Sequence, residues 1–197
     1  GTGLNSDAAR FYTPASVYVD PENGDVYVAD GEGRGTNRRI AVMDREGRFL
    51  RQWQPEGMET VHCMAGASDG FIYVCNRENS RIQVYDQSGS FIRNIEVPWR
   101  PYTPLVDGET RREAGAATSL ALSRDPNQKR IYVVNQDNDR IQIIDRQTGR
   151  TLSTFGGGVG HSPGQFDQPH GIAVDSEGSV YVTENRGRRI QRFTIVR

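Results

Sequence analysis

Apolar and polar residues alternate in short runs along this chain. The runs V-Y-V-A-D at 26–30, I-Y-V-C-N at 72–76, I-Y-V-V-N at 131–135 and V-Y-V-T-E at 180–184 share one pattern. A period of two puts successive side chains on opposite faces, the mark of a β-strand. Between the runs lie turn-formers: E-N-G-D at 22–25, R-E-G-R at 45–48, S-D-G-F at 68–71 and S-E-G-S at 176–179. No segment shows sustained helical spacing, so the pattern predicts an all-β protein.

The runs also repeat as larger units. Each unit carries an inner strand, then an x-Y-V strand, then R-I-x-x-x-D or a variant, then a fourth strand such as F-L-R-Q-W or F-I-R-N-I. The anchor residues Ile40, Ile82, Ile141 and Ile190 stand 42, 59 and 49 residues apart. A period of about 40–45 residues with four strands per unit is the sequence signature of a β-propeller. One four-stranded meander cannot bury both its faces, whereas wedges stacked around an axis bury each against a neighbour. The expected organisation is one propeller domain over 1–197, with blades at 11–57, 58–97, 117–156 and 166–197. An insertion loop is expected at 97–117, where Pro98, Pro101 and Pro104 fall. G-T-G…F…P at the start matches G-G-G…F…P at 156–169, so the four blades read as the C-terminal part of a six-bladed ring.

Composition narrows the function classes. The 24 basic and 25 acidic residues leave a net charge of -1, which gives no global attraction to nucleic acid or to a membrane surface. No apolar run approaches the roughly 20 residues of a membrane-spanning helix. Arginines cluster at 186–192 and at 34–39, but aromatic residues do not interleave with them, so nucleic-acid binding is not expected. The arginines before the anchor isoleucines, Arg39, Arg81, Arg140 and Arg189, read as partners of the Asp/Asn loop preceding each.

Candidate chemistry sits in one column. The position that opens each inner strand reads Ala15, His62, Thr118, His170. Inner strands line the propeller axis, so the two imidazoles are expected to converge at one mouth. A third histidine from an upstream blade would complete a three-nitrogen site with one open position, as a catalytic zinc requires. The bland alternative stays open: a histidine at a blade start can simply hydrogen-bond a neighbouring loop. Cys63 and Cys75 fall opposite each other in one hairpin. Buried free thiols are the default expectation, and a cross-strand disulfide is the alternative.

The loop N-R-E-N-S-R-I-Q at 76–83, F-D-Q-P-H-G-I-A-V-D at 166–175 and the recurrent V-Y-V resemble NHL repeats. Over nearly the whole chain the sequence is similar to the catalytic core of peptidyl-α-hydroxyglycine α-amidating lyase and its bacterial relatives. That resemblance implies zinc ligands at His62 and His170, and a substrate-facing arginine at Arg77. A guanidinium there offers a two-pronged grip on a carboxylate. It further implies a small-molecule or peptide ligand at the propeller mouth, and a secreted or periplasmic setting. Three positions depart from the family. Its tyrosine base has no match, because Glu32 follows Asp30-Gly31; a solvated loop glutamate is the default expectation there, and a substitute proton acceptor is the alternative. Its methionine before Pro-His is Gln168, and its calcium-binding aspartate is Gly171, so no calcium site carries over. Two functions are therefore expected from the sequence: a zinc-dependent carbon–nitrogen lyase, or a non-catalytic scaffold holding a protein or ligand on one propeller face.

Overall fold

The computed structural model describes residues 10–33, 35–58, 60–100 and 115–194. The centre of the expected insertion loop lies outside the described residues. Every regular element among them is a strand. The first sheet holds β1 (Pro14–Val19), β2 (Val26–Asp30), β3 (Arg39–Met43) and β4 (Phe49–Trp53). The second holds β5 (Val61–Gly66), β6 (Ile72–Asn76), β7 (Arg81–Tyr85) and β8 (Phe91–Glu96). The third holds β9 (Ala117–Leu122), β10 (Arg130–Asn135), β11 (Arg140–Asp145) and β12 (Thr151–Phe155). The fourth has three strands, β13 (Pro169–Val174), β14 (Val180–Glu184) and β15 (Ile190–Phe193). Each sheet is an antiparallel meander in chain order. The first strands β1, β5, β9 and β13 lie side by side in that sequence. The arrangement is four propeller-like wedges about a shared inner edge.

Three apolar clusters join the wedges, one at each junction. Tyr27, Ile40 and Val42 of the first sheet pack on Met64, Ile72 and Val74 of the second. Tyr73, Ile82 and Ile95 of the second pack on Leu120, Ile131 and Ile144 of the third. Tyr132, Val134 and Ile141 of the third pack on Phe166, Val180 and Val182 of the fourth. Full burial of each such side chain contributes about 1.5–3 kcal/mol. The recurring tyrosine thus faces the following wedge. Tyr181 occupies the same column in the fourth sheet, where no following wedge packs on it among the described residues. It is half-buried, and its hydroxyl donates to Asp175 Oδ2 at 3.1 Å.

Cys63 and Cys75 are joined by a disulfide, with Cα atoms 4.9 Å apart. This corrects the expectation of free thiols. The register Met64↔Val74 carries the two cysteines to opposing positions on β5 and β6, within bonding reach.

The repeated Arg-Ile-Gln has a structural explanation. The residue before each of these arginines turns the chain with positive φ: Arg38 at 50°, Ser80 at 50°, Asp139 at 48° and Arg188 at 49°. The arginine then opens the third strand or immediately precedes it. The glutamine two residues on ties down the linker that leads into its own wedge. Gln83 Nε2 donates to Glu56 O at 3.0 Å, Gln142 Nε2 to Pro98 O at 2.6 Å, and Gln191 Nε2 to Gln165 O at 2.8 Å.

The turns between third and fourth strands are closed by aspartates. Asp44 accepts the Arg48 N–H, Asp86 the Ser88 hydroxyl and the Ser90 N–H, and Asp145 the Thr148 N–H and hydroxyl. These bonds favour the ionised carboxylates and hold all three below their ordinary value of 3.8. Because the folded values lie below the unfolded ones, the stabilisation is complete above the unfolded value and fades as pH falls through the folded values. Melting temperature is expected to hold down to about pH 5 and to fall progressively below about pH 4. A flat melting temperature across that range, by circular dichroism, would contradict this account of the turns.

Candidate functional site at the propeller axis

His62 and His170 are each the second residue of an inner strand, β5 and β13 respectively. Thr118 holds the same place on β9 between them. Side chains at equal register on neighbouring inner strands aim at one mouth, and the two imidazole centroids stand 5.3 Å apart at an interplanar angle of 66°.

His62 is fixed on one side only. Its Nδ1 lies 2.6 Å from the Thr118 carbonyl oxygen. A carbonyl can only accept, so Nδ1 carries the proton and Nε2 presents a lone pair. That Nε2 is buried and has no hydrogen-bond partner. Glu32 Oε1 lies 3.3 Å from it, but without the alignment of a hydrogen bond. In the neutral imidazole two acceptors then face each other across this gap. Burial pushes the His62 pKa down, the Arg77 guanidinium pushes it further the same way, and Glu32 opposes them. His170 is likewise lowered, first by burial and then by Arg77, against an opposing push from Glu32. Both rings are thereby held as neutral imidazoles at neutral pH, the form that ligates metals.

Arg77 follows β6 directly, in the loop beside His62. Its Nη2 lies 3.3 Å from Glu78 Oε1, and its Nε is buried and unpartnered. Thr118 is anchored in turn, since its hydroxyl donates to Gln136 Oε1 at 3.1 Å.

The NHL repeat family matches at residues 62–85 and 166–193, which cover parts of the second and fourth wedges. The chain carries NHL repeats. Peptidyl-glycine alpha-amidating monooxygenase B of Xenopus laevis is 29% identical over 96% of this chain. Peptidyl-alpha-hydroxyglycine alpha-amidating lyase 1 of Drosophila melanogaster is 25% identical over 93% of it. The chain spans 21% of the length of the first relative and 35% of the second. Among solved structures, the WD40 β-propeller domain of Doa1 aligns with a TM-score of 0.67 at 12% identity, over 94% of this chain and 53% of that one. At that identity the likeness speaks for the fold alone. The fold is a propeller that carries NHL repeats, and its sequence is similar to amidating enzymes.

The NHL framework brings four residues named from the sequence, Glu32, His62, Arg77 and His170, into one cluster. Glu32, expected on chemical grounds only as a substitute acceptor, lies against His62. His161 is apart from them: it is mostly exposed, and its Nε2 lies 3.6 Å from Asp167 Oδ2. Sequence reasoning placed Thr118 in the column but missed its role, because its contribution is a backbone carbonyl that no side-chain pattern reports. Gln136 was missed altogether. Among the described residues no group of three or more His, Cys, Asp or Glu side chains has metal-holding spacing.

Proposed function

We propose that this chain contributes the axial site of an amidating-lyase-like propeller, a six-bladed ring to which its four wedges belong as one domain. The observation that carries the reading is His62: pinned at Nδ1, bare at Nε2, and paired with His170 at 5.3 Å. A histidine whose other nitrogen donates to a backbone carbonyl is the usual arrangement of a metal ligand. Two neutral imidazoles and a nearby carboxylate fit the nitrogen and oxygen donor preference of zinc, and two imidazoles alone hold it weakly. Zinc, when bound to His62 and His170, would act as a Lewis acid toward a substrate hydroxyl.

The remaining chemistry belongs to the chain. Arg77 grips the carboxylate of a hydroxyglycine-type substrate with its forked donors. Glu32 accepts the hydroxyl proton as the carbon–nitrogen bond breaks. The nitrogen leaves with a proton as an amide, and the carbon it leaves becomes an aldehyde beside the carboxylate. Gly171 supplies no carboxylate for calcium.

Zinc content after dialysis, affinity by chelator competition, and release of glyoxylate from a peptidyl-α-hydroxyglycine test this reading together. His62→Ala and His170→Ala are each expected to weaken zinc by at least about tenfold. Arg77→Gln is expected to raise KM for the carboxylate substrate more than it lowers kcat. Zinc binding unchanged by both histidine variants would overturn the site. A metal-free protein without turnover would instead favour the scaffold reading, in which this mouth binds a protein or small ligand.

A further inference from the structure

The arginine that precedes each anchor isoleucine gives the molecule an internal comparison. In the first sheet Arg39 Nε donates to Asp30 Oδ2 at 2.9 Å, with Arg39 and Asp30 opposite each other in the ladder. In the fourth, Arg189 Nε donates to Glu184 Oε1 at 2.6 Å. Both guanidinium groups also donate to carbonyls of the linker that leads into their wedge. In the second sheet the residue opposite Arg81 is Asn76, which carries no charge. Arg81 Nε is buried and has no hydrogen-bond partner.

The groups that could have replaced the missing acid are committed elsewhere. Asn76 Oδ1 and the Gly57 carbonyl both accept from Asn79 Nδ2, each at 2.9 Å. Gln83 Oε1 accepts from the Tyr85 hydroxyl at 3.1 Å, and Gln83 Nε2 is spent on the Glu56 carbonyl. Arg81 borders a cleft of about 450 Å³ between the outer strand of the first sheet and the second sheet. Trp53, Tyr85 and Phe91 line that cleft, with Asn94 and Glu56 beside them. The indole Nε1 of Trp53 is a second buried donor without a partner. An arginine that lacks the acid found in the first and fourth sheets and three aromatic side chains therefore line one inter-sheet cleft.

We propose that this cleft is a second binding site, separate from the axial cluster. It takes a small molecule that carries an oxyanion, carboxylate or phosphate, on an aromatic body. The oxyanion accepts from the Arg81 guanidinium, as Asp30 accepts from Arg39 in the first sheet. The aromatic body lies against Trp53, Tyr85 and Phe91. Glu56 is the charge that opposes it.

Calorimetric titration with benzoate, phenyl phosphate, acetate and inorganic phosphate tests this. Saturable binding is expected for benzoate, phenyl phosphate or both, and which of the two binds identifies the oxyanion. Acetate and inorganic phosphate are expected to bind more weakly, for want of the ring. Arg81→Gln is expected to weaken binding roughly tenfold or more. Asn76→Asp, which gives Arg81 the internal partner that Arg39 has, is expected to weaken binding to a similar degree while raising the melting temperature. Should Arg81→Gln fail to fold, Asn94→Asp places a negative charge on an exposed part of the lining and is expected to abolish binding. Glu56→Gln is expected to tighten it, and Arg48→Gln, on the exposed surface, to leave it unchanged. The proposal is overturned if no aromatic probe saturates below about 10 mM, or if binding is indifferent to changes at residues 76, 81 and 94.

Discussion

Asp30→Ala is expected to lower the unfolding free energy by about 3–5 kcal/mol, because it removes one partner of a buried ion pair. Asp30 is fully buried, and its Oδ2 accepts from Arg39 Nε at 2.9 Å and from Asn37 Nδ2 at 2.7 Å. Its Oδ1 accepts from the Tyr12 N–H at 2.7 Å. Arg39 is only 2% exposed, so water cannot take over the lost bond. Arg39 also donates to Gln52 Oε1 and to the Arg10 carbonyl, which orient the guanidinium toward Asp30. Asp30→Asn keeps the shape and should cost less, about 1–3 kcal/mol. The second and third sheets carry Asn76 and Asn135 at this position, which shows that the fold accepts the amide. Urea unfolding followed by circular dichroism measures both variants. A loss below about 1 kcal/mol for Asp30→Ala would mean that the pair is not the clasp described.

Phe166→Ala should cost a comparable 3–5 kcal/mol, about the usual range for truncating a buried phenylalanine. Phe166 is fully buried, with ring centroids 6.3 Å from Phe155 and 5.6 Å from Phe193. It therefore ties the outer strand of the third sheet to the last strand of the fourth. Its backbone also closes the linker loop, donating to Gly158 O and accepting from the Gly160 N–H, each at 3.1 Å. Alanine keeps the backbone bonds and removes the ring, so the loss reports the aromatic cluster. Phe91→Ala is the control, because that side chain is 53% exposed and should cost under about 1 kcal/mol. Equal losses for the two variants in urea would refute the assignment of this cluster to the junction.

The strands and their wedges were legible because two periodicities coincide: alternation along each strand and the recurrence of Arg-Ile across units. The convergence of His62 and His170 was legible for the same reason, since equal register on parallel-running inner strands fixes direction as well as place. The Cys63–Cys75 bond was not, because opposition in a hairpin permits a disulfide without requiring it. Tyr181 shared the column of Tyr27, Tyr73 and Tyr132 but not their burial, which depends on a neighbour rather than on the residue itself. Glu32 was visible only as a chemical type, because loop geometry decides whether a carboxylate meets solvent or an imidazole. The unmatched state of Arg81 was latent in the series Asp30, Asn76, Asn135, Glu184. It took coordinates to show that no other acceptor steps in.

The three glutamines that fasten the linkers all do so through a main-chain oxygen: those of Glu56, Pro98 and Gln165. Every amino acid carries that oxygen. The connecting segments can therefore drift in composition and grow in length without loosening their attachment, while the fastening residue itself stays within a short motif on a rigid strand. New recognition surfaces can be tried out in such segments with little risk to the barrel of wedges beneath.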